Sequence, residues 1–435
     1  MAGLEMGWIR AHAAKLDRHL RHEILATYRP LRMLPCFVSR LLIPWRMRRR
    51  VPVIIQLRRE CEVTECRNFA QALTTADASS AVVLEVIRGV ATEVSIQRLA
   101  TLVNDPRVAR ITYDRQVRAF LDSAAPAVHA PAAWENGFTG EGVTVAVVDT
   151  GLYPHPDFTQ PENRIAAFHD VVGGRRAPYD DNGHGTHVAG IVAGNGLRSG
   201  GRYRGIAPGA RLVGVKVLDA YGSGALSNVI RGLDWCVRHK ERFNIRVVNL
   251  SLGAPAVESY KTDPLAQAVE AVWESGIVVC VAAGNDGPEP GTIATPGIHP
   301  KVITVGATDS RGEAGFPRHE VAPFSSRGPT IDQIVKPDLV APGVAITAAA
   351  ARKSVLSLQH GGKRVDYITL SGTSMATPIC SGIAALLLEK EPSLDPDTVK
   401  RRLVESARSL GLEPTIQGSG LVDAGRALSL PGVFS

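Results

Sequence analysis

The sequence predicts an α/β protein in two folded parts, a small α+β unit ahead of a larger domain built on a mainly parallel sheet. Two observations carry this reading. Between residues 51 and 121 the apolar segments run strand, helix, strand, strand, helix, strand, the order of a split βαβ, ferredoxin-like unit. Beyond Gly140, strand-length apolar runs alternate with amphipathic helical stretches, which implies parallel strands covered by helices on both faces. A chain of 435 residues is long enough to hold both parts.

The first 50 residues carry 11 Lys and Arg against 3 Asp and Glu, so with a total of +7 the remaining 385 residues sum to −1. The basic character belongs to this extension, and the body of the chain has no electrostatic footprint for nucleic acid. Residues 4–28 place Trp8, Leu16, Leu20, Ile24 and Tyr28 on one face, mostly four apart. This predicts a basic amphipathic helix ending at Pro30, open to two readings: contact with an acidic or membrane surface, or packing on the neighbouring unit. Arg46 to Arg50 follow as a short basic linker. No uninterrupted apolar segment reads as a secretory signal, and no run is long enough to span a bilayer. Six cysteines (Cys36, Cys61, Cys66, Cys236, Cys280, Cys380) lack C-x-x-C spacing. A disulfide framework is not expected, which favours a reducing compartment.

In the small unit, residues 51–57 read as a strand and 60–73 as a helix. Residues 81–90 form a second strand, 91–94 a third, 95–103 a helix and 107–113 the last strand. Nothing in it looks catalytic. An Ala/Pro-rich stretch, 124–133, follows as a boundary, giving an extension 1–50, a unit 51–121 and a domain 122–435.

Residues 143–148 form a nearly continuous apolar run, as expected of a doubly covered parallel strand, and end in Asp149-Thr150-Gly151. A carboxylate at the carboxyl end of such a strand lies where α/β folds place their sites, although a lone Asp also caps turns. In Asp181-Asn182-Gly183-His184-Gly185-Thr186-His187, spacing leaves either histidine open as a general base. No Cys or Glu-x-x-His partner supports zinc. Strands at 212–217, 247–250, 278–282 and 302–305 alternate with helices at 226–239 and 263–274. One strand runs out into Ser251-Leu252-Gly253, another into Ala282-Ala283-Gly284-Asn285, where a carboxamide beside a glycine is a turn cap or an oxyanion donor. Ser371-Gly372-Thr373-Ser374-Met375-Ala376-Thr377-Pro378 opens an apolar helix. Ser374 is either a helix cap or a nucleophile at a helix N-terminus.

Asp149-Thr150-Gly151, Asn182-Gly183-His184-Gly185-Thr186-His187, Ala283-Gly284-Asn285 and Gly372-Thr373-Ser374-Met375-Ala376-Thr377-Pro378 arrive in that order. By these motifs the chain, from about Pro126 onward, resembles the subtilisin-like serine peptidases. The resemblance implies a three-layer α/β/α domain and a serine endopeptidase working through an acyl-enzyme. Ser374 would be the nucleophile, His184 (not His187) the general base and acid, and Asp149 its orienting carboxylate. The Asn285 amide and Ser374 N–H would form the oxyanion hole. Ser251, Leu252, Gly253 and Gly222, Ser223, Gly224 would flank an extended polypeptide substrate. Ala282, Ala283, Gly284 and Ala294-Thr295-Pro296-Gly297 would wall the primary pocket, apolar or aromatic in preference because no acid is evident at its base. The 51–121 unit would be a pro-domain, an intramolecular chaperone and inhibitor released by self-cleavage between about Leu121 and Ala125. Asp157 matches a family calcium ligand, but residues 195–204 lack the Asn-rich pattern of the strongest site. No cofactor is required for the chemistry, and a structural calcium is allowed. The extension and the cysteines resemble cytoplasmic or non-classically exported members, with an extracellular enzyme as the alternative. A catalytically silent binding fold is disfavoured because every triad position is filled. An α/β-hydrolase would run Ser, acid, His, the wrong order.

Overall fold

The computed structural model describes residues 7–28, 47–58, 60–76, 81–114, 116–119, 127–309, 319–360 and 365–429. It divides into two units, Met1–Arg115 and Gln116–Ser435.

In the first unit the strands Ala81–Leu84, Gly89–Ser95, Arg50–Leu57 and Val108–Tyr113 form one antiparallel sheet in that spatial order. Helices Val63–Ala76 and Ile96–Leu102 complete the split βαβ pattern. The second is capped by the Ser95 hydroxyl, which accepts from the Arg98 N–H at 3.2 Å. The run read as one strand over 81–90 is broken by a tight turn at Glu85–Ile87, with Arg88 left-handed at φ 49°. The third strand accordingly starts at Gly89 rather than 91.

The N-terminal helix is two helices, Gly7–Ala11 and Arg18–Tyr28, not one. Asp17 ends the intervening stretch by capping the second, its Oδ1 accepting from the Leu20 N–H at 2.7 Å. The stretch pairs with the edge of the sheet, where the Ile111 N–H donates to the Lys15 carbonyl and the Asp17 N–H to that of Ile111. Leu16, Leu20 and Ile24 are buried in one core with Val53, Ile55, Phe69 and Leu99. The apolar face is therefore spent on its own unit, the second of the two readings, and it closes a sheet edge that would otherwise be open to pairing.

The second unit has an eight-stranded sheet. Its main path runs Glu320–Val321, Ile303–Asp309, Val278–Ala282, Ile245–Leu250, Thr144–Asp149, Arg211–Lys216, Ile165–Asp170. Leu339–Pro342 pairs parallel with Ile303–Asp309, and only Glu320–Val321 is antiparallel. Helices His184–Ala193 and Thr373–Lys390 pack together on the sheet, as do Leu226–Phe243 and Pro264–Glu274. The half-buried strand Ile165–Asp170 escapes the sequence reading because no face of it is continuously apolar. The first strand of the path in sequence, Thr144–Asp149, lies in its middle. The chain winds outward from it one way to 165–170 and then the other way to 303–309, which places a topological switch point at the carboxyl ends of 144–149 and 245–250.

Candidate active site

Asp149 ends the central strand at this switch point. Its Oδ1 lies 2.8 Å from Nδ1 of His184, with both side chains fully buried, and it also accepts the Thr150 N–H at 2.7 Å. His184 is the first residue of the helix His184–Ala193, whose start is pressed against the Asp149 strand. A Cβ on Gly185 would run into the Gly151 carbonyl oxygen, so glycine there permits the approach. Buried Asp180, not singled out in the sequence, fastens this junction. Its carboxylate accepts the Thr150 hydroxyl at 2.9 Å, the Gly183 N–H at 2.7 Å, and the Thr186 N–H and hydroxyl at 2.8 and 2.7 Å.

His187 faces away, its Nε2 within 3.1 and 3.2 Å of the Ile346 and Ile368 carbonyl oxygens. Burial pushes its imidazole down from 6.5 to about 3, so it is neutral at working pH. The unfolded chain then binds more protons than the folded one between those values. Stability from this group is complete above about pH 6.5 and is lost toward pH 3, at no more than about 1.4 kcal/mol per pH unit. Urea midpoints of an inactive variant should fall over that window, and His187→Gln should flatten the fall. An equally steep fall in His187→Gln would contradict this.

Ser374 is the second residue of the helix Thr373–Lys390, buried from Thr373 to Leu388. Pro378 lies inside this helix and has no N–H for the carbonyl four residues back, that of Ser374. The freed carbonyl accepts the Ser251 hydroxyl at 2.8 Å, and the Ser374 hydroxyl in turn donates to the Ser251 carbonyl at 3.0 Å. The Asn249 amide nitrogen donates to the Ser251 hydroxyl at 2.9 Å, and the Ser381 hydroxyl to the Asn249 oxygen at 2.8 Å. These bonds tie the 245–250 strand end to the helix that carries Ser374. Asn249 and Ser381 carry no motif that marks them in the sequence.

Asn285 follows Gly284, which is left-handed at φ 111° and where a Cβ would meet the Ser326 hydroxyl at 2.7 Å. The Asn285 side-chain oxygen accepts both the Thr373 N–H at 2.9 Å and the Thr373 hydroxyl at 3.0 Å. With its oxygen held twice, the amide NH2 is the end that remains to donate. Thr373, one residue before Ser374, is thus the orienting partner that sequence reasoning missed.

The segments Ser223–Ala225 and Leu252–Gly253 do flank an extended strand, and it is supplied by the chain itself. Gln116–Ala119 pairs antiparallel with both, Val117 opposite Gly224 and Arg118 opposite Ser223 and Gly253. Gly222 makes the turn into one edge at φ 75°. The expected cut at 121–125 lies outside the described residues. Ala294 donates its N–H to the Ala283 carbonyl at 2.8 Å, and Ala254 and Thr295 exchange backbone hydrogen bonds at 3.1 and 2.9 Å. Behind Ala283 pack Ala266, Ile293 and Ile298. The nearby acid, buried Asp263, caps a helix and accepts the Thr295 hydroxyl at 2.9 Å.

Residues 140–420 match the family model described as the subtilase family. The chain belongs to the subtilases. It is 44% identical over 437 residues to serine protease AprX of Bacillus subtilis (strain 168), covering 98% of each chain. To subtilisin Savinase of Lederbergia lenta it is 39% identical over 297 residues, 68% of this chain and 94% of the relative. The fold is similar to fervidolysin from Fervidobacterium pennivorans, with a TM-score of 0.70 and 23% identity over 88% of this chain and 61% of that one. The protein is therefore a subtilisin-like serine peptidase, a hydrolase acting on peptide bonds. Among the described residues no helix is long and apolar enough to cross a membrane.

Asp157 does not suit the calcium that the subtilase resemblance suggests for it. Its Oδ1 accepts the Arg198 N–H at 3.0 Å and its Oδ2 the Tyr367 hydroxyl at 2.8 Å. Its backbone carbonyl accepts from the Arg164 guanidinium at 2.5 Å. Burial lowers Arg164 only to about 10, so it is cationic at neutral pH. Calcium requires six to eight oxygens free to face it, whereas here the oxygens are taken and a cation already lies on one of them.

Proposed function

We propose that this subtilase is an endopeptidase made as a self-processing precursor, with Ser374 as nucleophile, His184 as general base and then acid, and Asp149 as orienting carboxylate. The observation that carries the reading is the fully buried Asp149–His184 pair at 2.8 Å. An imidazole whose Nδ1–H is committed to a carboxylate presents Nε2 as the base and has its cation stabilised. The Ser374 hydroxyl turns from the Ser251 carbonyl to this nitrogen and attacks the scissile carbonyl. The resulting oxyanion is held by the Asn285 NH2 and the Ser374 N–H, at the positive end of an 18-residue helix. Collapse expels the amine, protonated by His184, and water releases the acyl group by the same steps in reverse.

The strand Gln116–Ala119, seated between the two cleft edges, supports the reading that polypeptide substrates bind by strand addition and that the chain ahead of the cut stays as product. The 51–121 unit then serves as inhibitor and chaperone. The alanine-lined walls support an apolar preference at the primary pocket. The thiols of Cys61, Cys66, Cys236, Cys280 and Cys380 are all free and buried, which fits work in a reducing compartment, the cytoplasm or a non-classical export route.

Asn285→Ala tests the oxyanion role. It should lower kcat on a peptide anilide by about 10²–10³-fold with KM little changed, a range taken from subtilisin, a relative of this protein. A rise in KM at unchanged kcat would assign Asn285 to ground-state binding instead. No metal is needed at Asp157, so any effect of EDTA on the thermal midpoint and activity of the mature enzyme should be the same in wild type and in Asp157→Asn. A fall reversed by added calcium but absent in Asp157→Asn would restore the metal to that position.

A further inference from the structure

Lys216, on the strand next to that of Asp149, is buried to 1% exposure. Lys216 ends the strand Arg211–Lys216 directly opposite Asp149. Its three N–H groups meet three acceptors on three segments: the Thr150 carbonyl at 2.5 Å, Asp181 Oδ1 at 2.7 Å and the Leu218 carbonyl at 2.8 Å. Thr150 follows Asp149. Asp181 begins the loop that delivers His184. Leu218 opens the segment whose continuation, Ser223–Ala225, is one edge of the cleft. An ammonium has three donors and no acceptor, so this geometry spends all of them on one junction.

Other bonds close the same junction. The Val217 and Leu218 N–H groups both donate to the Asp149 carbonyl, at 2.8 and 3.3 Å. The Asn182 amide donates to the Ala220 carbonyl at 3.0 Å. The Asp219 N–H donates to the Ser223 carbonyl at 2.8 Å, and the Ser223 N–H to Asp219 Oδ1 at 3.0 Å. These bonds join the segment 218–220, which leads to the edge Ser223–Ala225, to the segments that carry Asp149 and His184.

We propose that Lys216 is a positioning residue that couples the seating of a substrate strand on Ser223–Ala225 to the alignment of His184 with Asp149. This rests on the triad reading above. The charged and titratable groups around the junction are Asp149, Tyr179, Asp180, Asp181, His184, Asp219 and neutral His187; the ammonium also lies 5.2 Å from the Tyr179 ring centre.

The experiment uses mature enzyme from the full chain and compares an extended peptide anilide with a single-residue ester. Lys216→Met should lower kcat on the peptide by about 10²-fold, with a smaller loss on the ester, which does not engage the cleft edge. It should also move the acid limb of kcat/KM to higher pH, because the cation bonded to Thr150 and Asp181, on the segments that carry Asp149 and His184, is gone. Lys216→Arg keeps the charge and should leave that limb in place. Asp181→Asn leaves the ammonium unneutralised and should move the limb to lower pH. The Asp181 side chain is 41% exposed, so this variant decides the matter if Lys216→Met does not fold. Variants that lose thermal stability alone, or lose both substrates equally with an unmoved acid limb, would reduce Lys216 to a structural role. The triad reading fails separately, if Ser374→Ala remains active.

Discussion

Full-length protein carrying Ser374→Ala should remain a single chain of 46.4 kDa, while wild type sheds an N-terminal fragment that includes the 115 residues of its first unit. The hydroxyl lost is the one at the start of the helix Thr373–Lys390, held to the 245–250 strand end through Ser251. Alanine keeps the backbone N–H and the carbonyl bonded to Ser251, so the helix start and half of the oxyanion hole persist. What disappears is the acyl-enzyme path. Activity on peptides should fall by about 10⁶-fold, the scale found when this serine is removed from subtilisin. Gel and intact-mass analysis during expression reads the processing, and a mutant that still shortens by itself would remove Ser374 from the nucleophile's role.

Asp149→Asn carries the second large effect. In wild type the carboxylate oxygen takes both the His184 Nδ1–H and the Thr150 N–H. An asparagine with its oxygen in that place keeps both contacts but gives up the charge that stabilises the imidazolium; turned over, it loses the Thr150 bond and aims an NH2 at the imidazole. That favours the tautomer with its proton on Nε2, which has no lone pair for the serine proton. The expected loss in kcat is about 10⁴-fold, with KM nearly unchanged and the fold intact. Activity should partly recover at high pH, where hydroxide replaces the missing base. A loss of less than about tenfold would mean that His184 does not depend on Asp149 for its tautomer.

The motifs at the strand ends were legible because their chemistry requires small residues and particular side chains in fixed local order. Asp149 and Asn285 sit where an apolar run stops, and the run itself announces the strand, while His184 opens an apolar helix. The partners that hold them were not legible. Asp180, Thr373, Asn249, Ser381 and Lys216 reach across the fold to segments 30 to 132 residues distant, and no local pattern encodes such a contact. The role of Pro378 emerged only with Ser251 on the freed carbonyl. In the small unit, the turn at 85–88 was hidden because Val86 and Ile87 continue the apolar character of the strand before it. The amphipathic face of residues 7–28 was correctly read as needing cover, and the sheet of the same unit provides it.

The most direct measurement is covalent labelling of mature wild-type enzyme with a fluorophosphonate, followed by intact-mass and peptide mapping. A serine activated by the buried Asp149–His184 pair should take up one phosphonyl group, on the peptide containing Ser374, with loss of activity in proportion to labelling. His184→Ala should take up none at the same dose. Label on a different residue accompanying inactivation, or full activity with Ser374 labelled, would contradict the account.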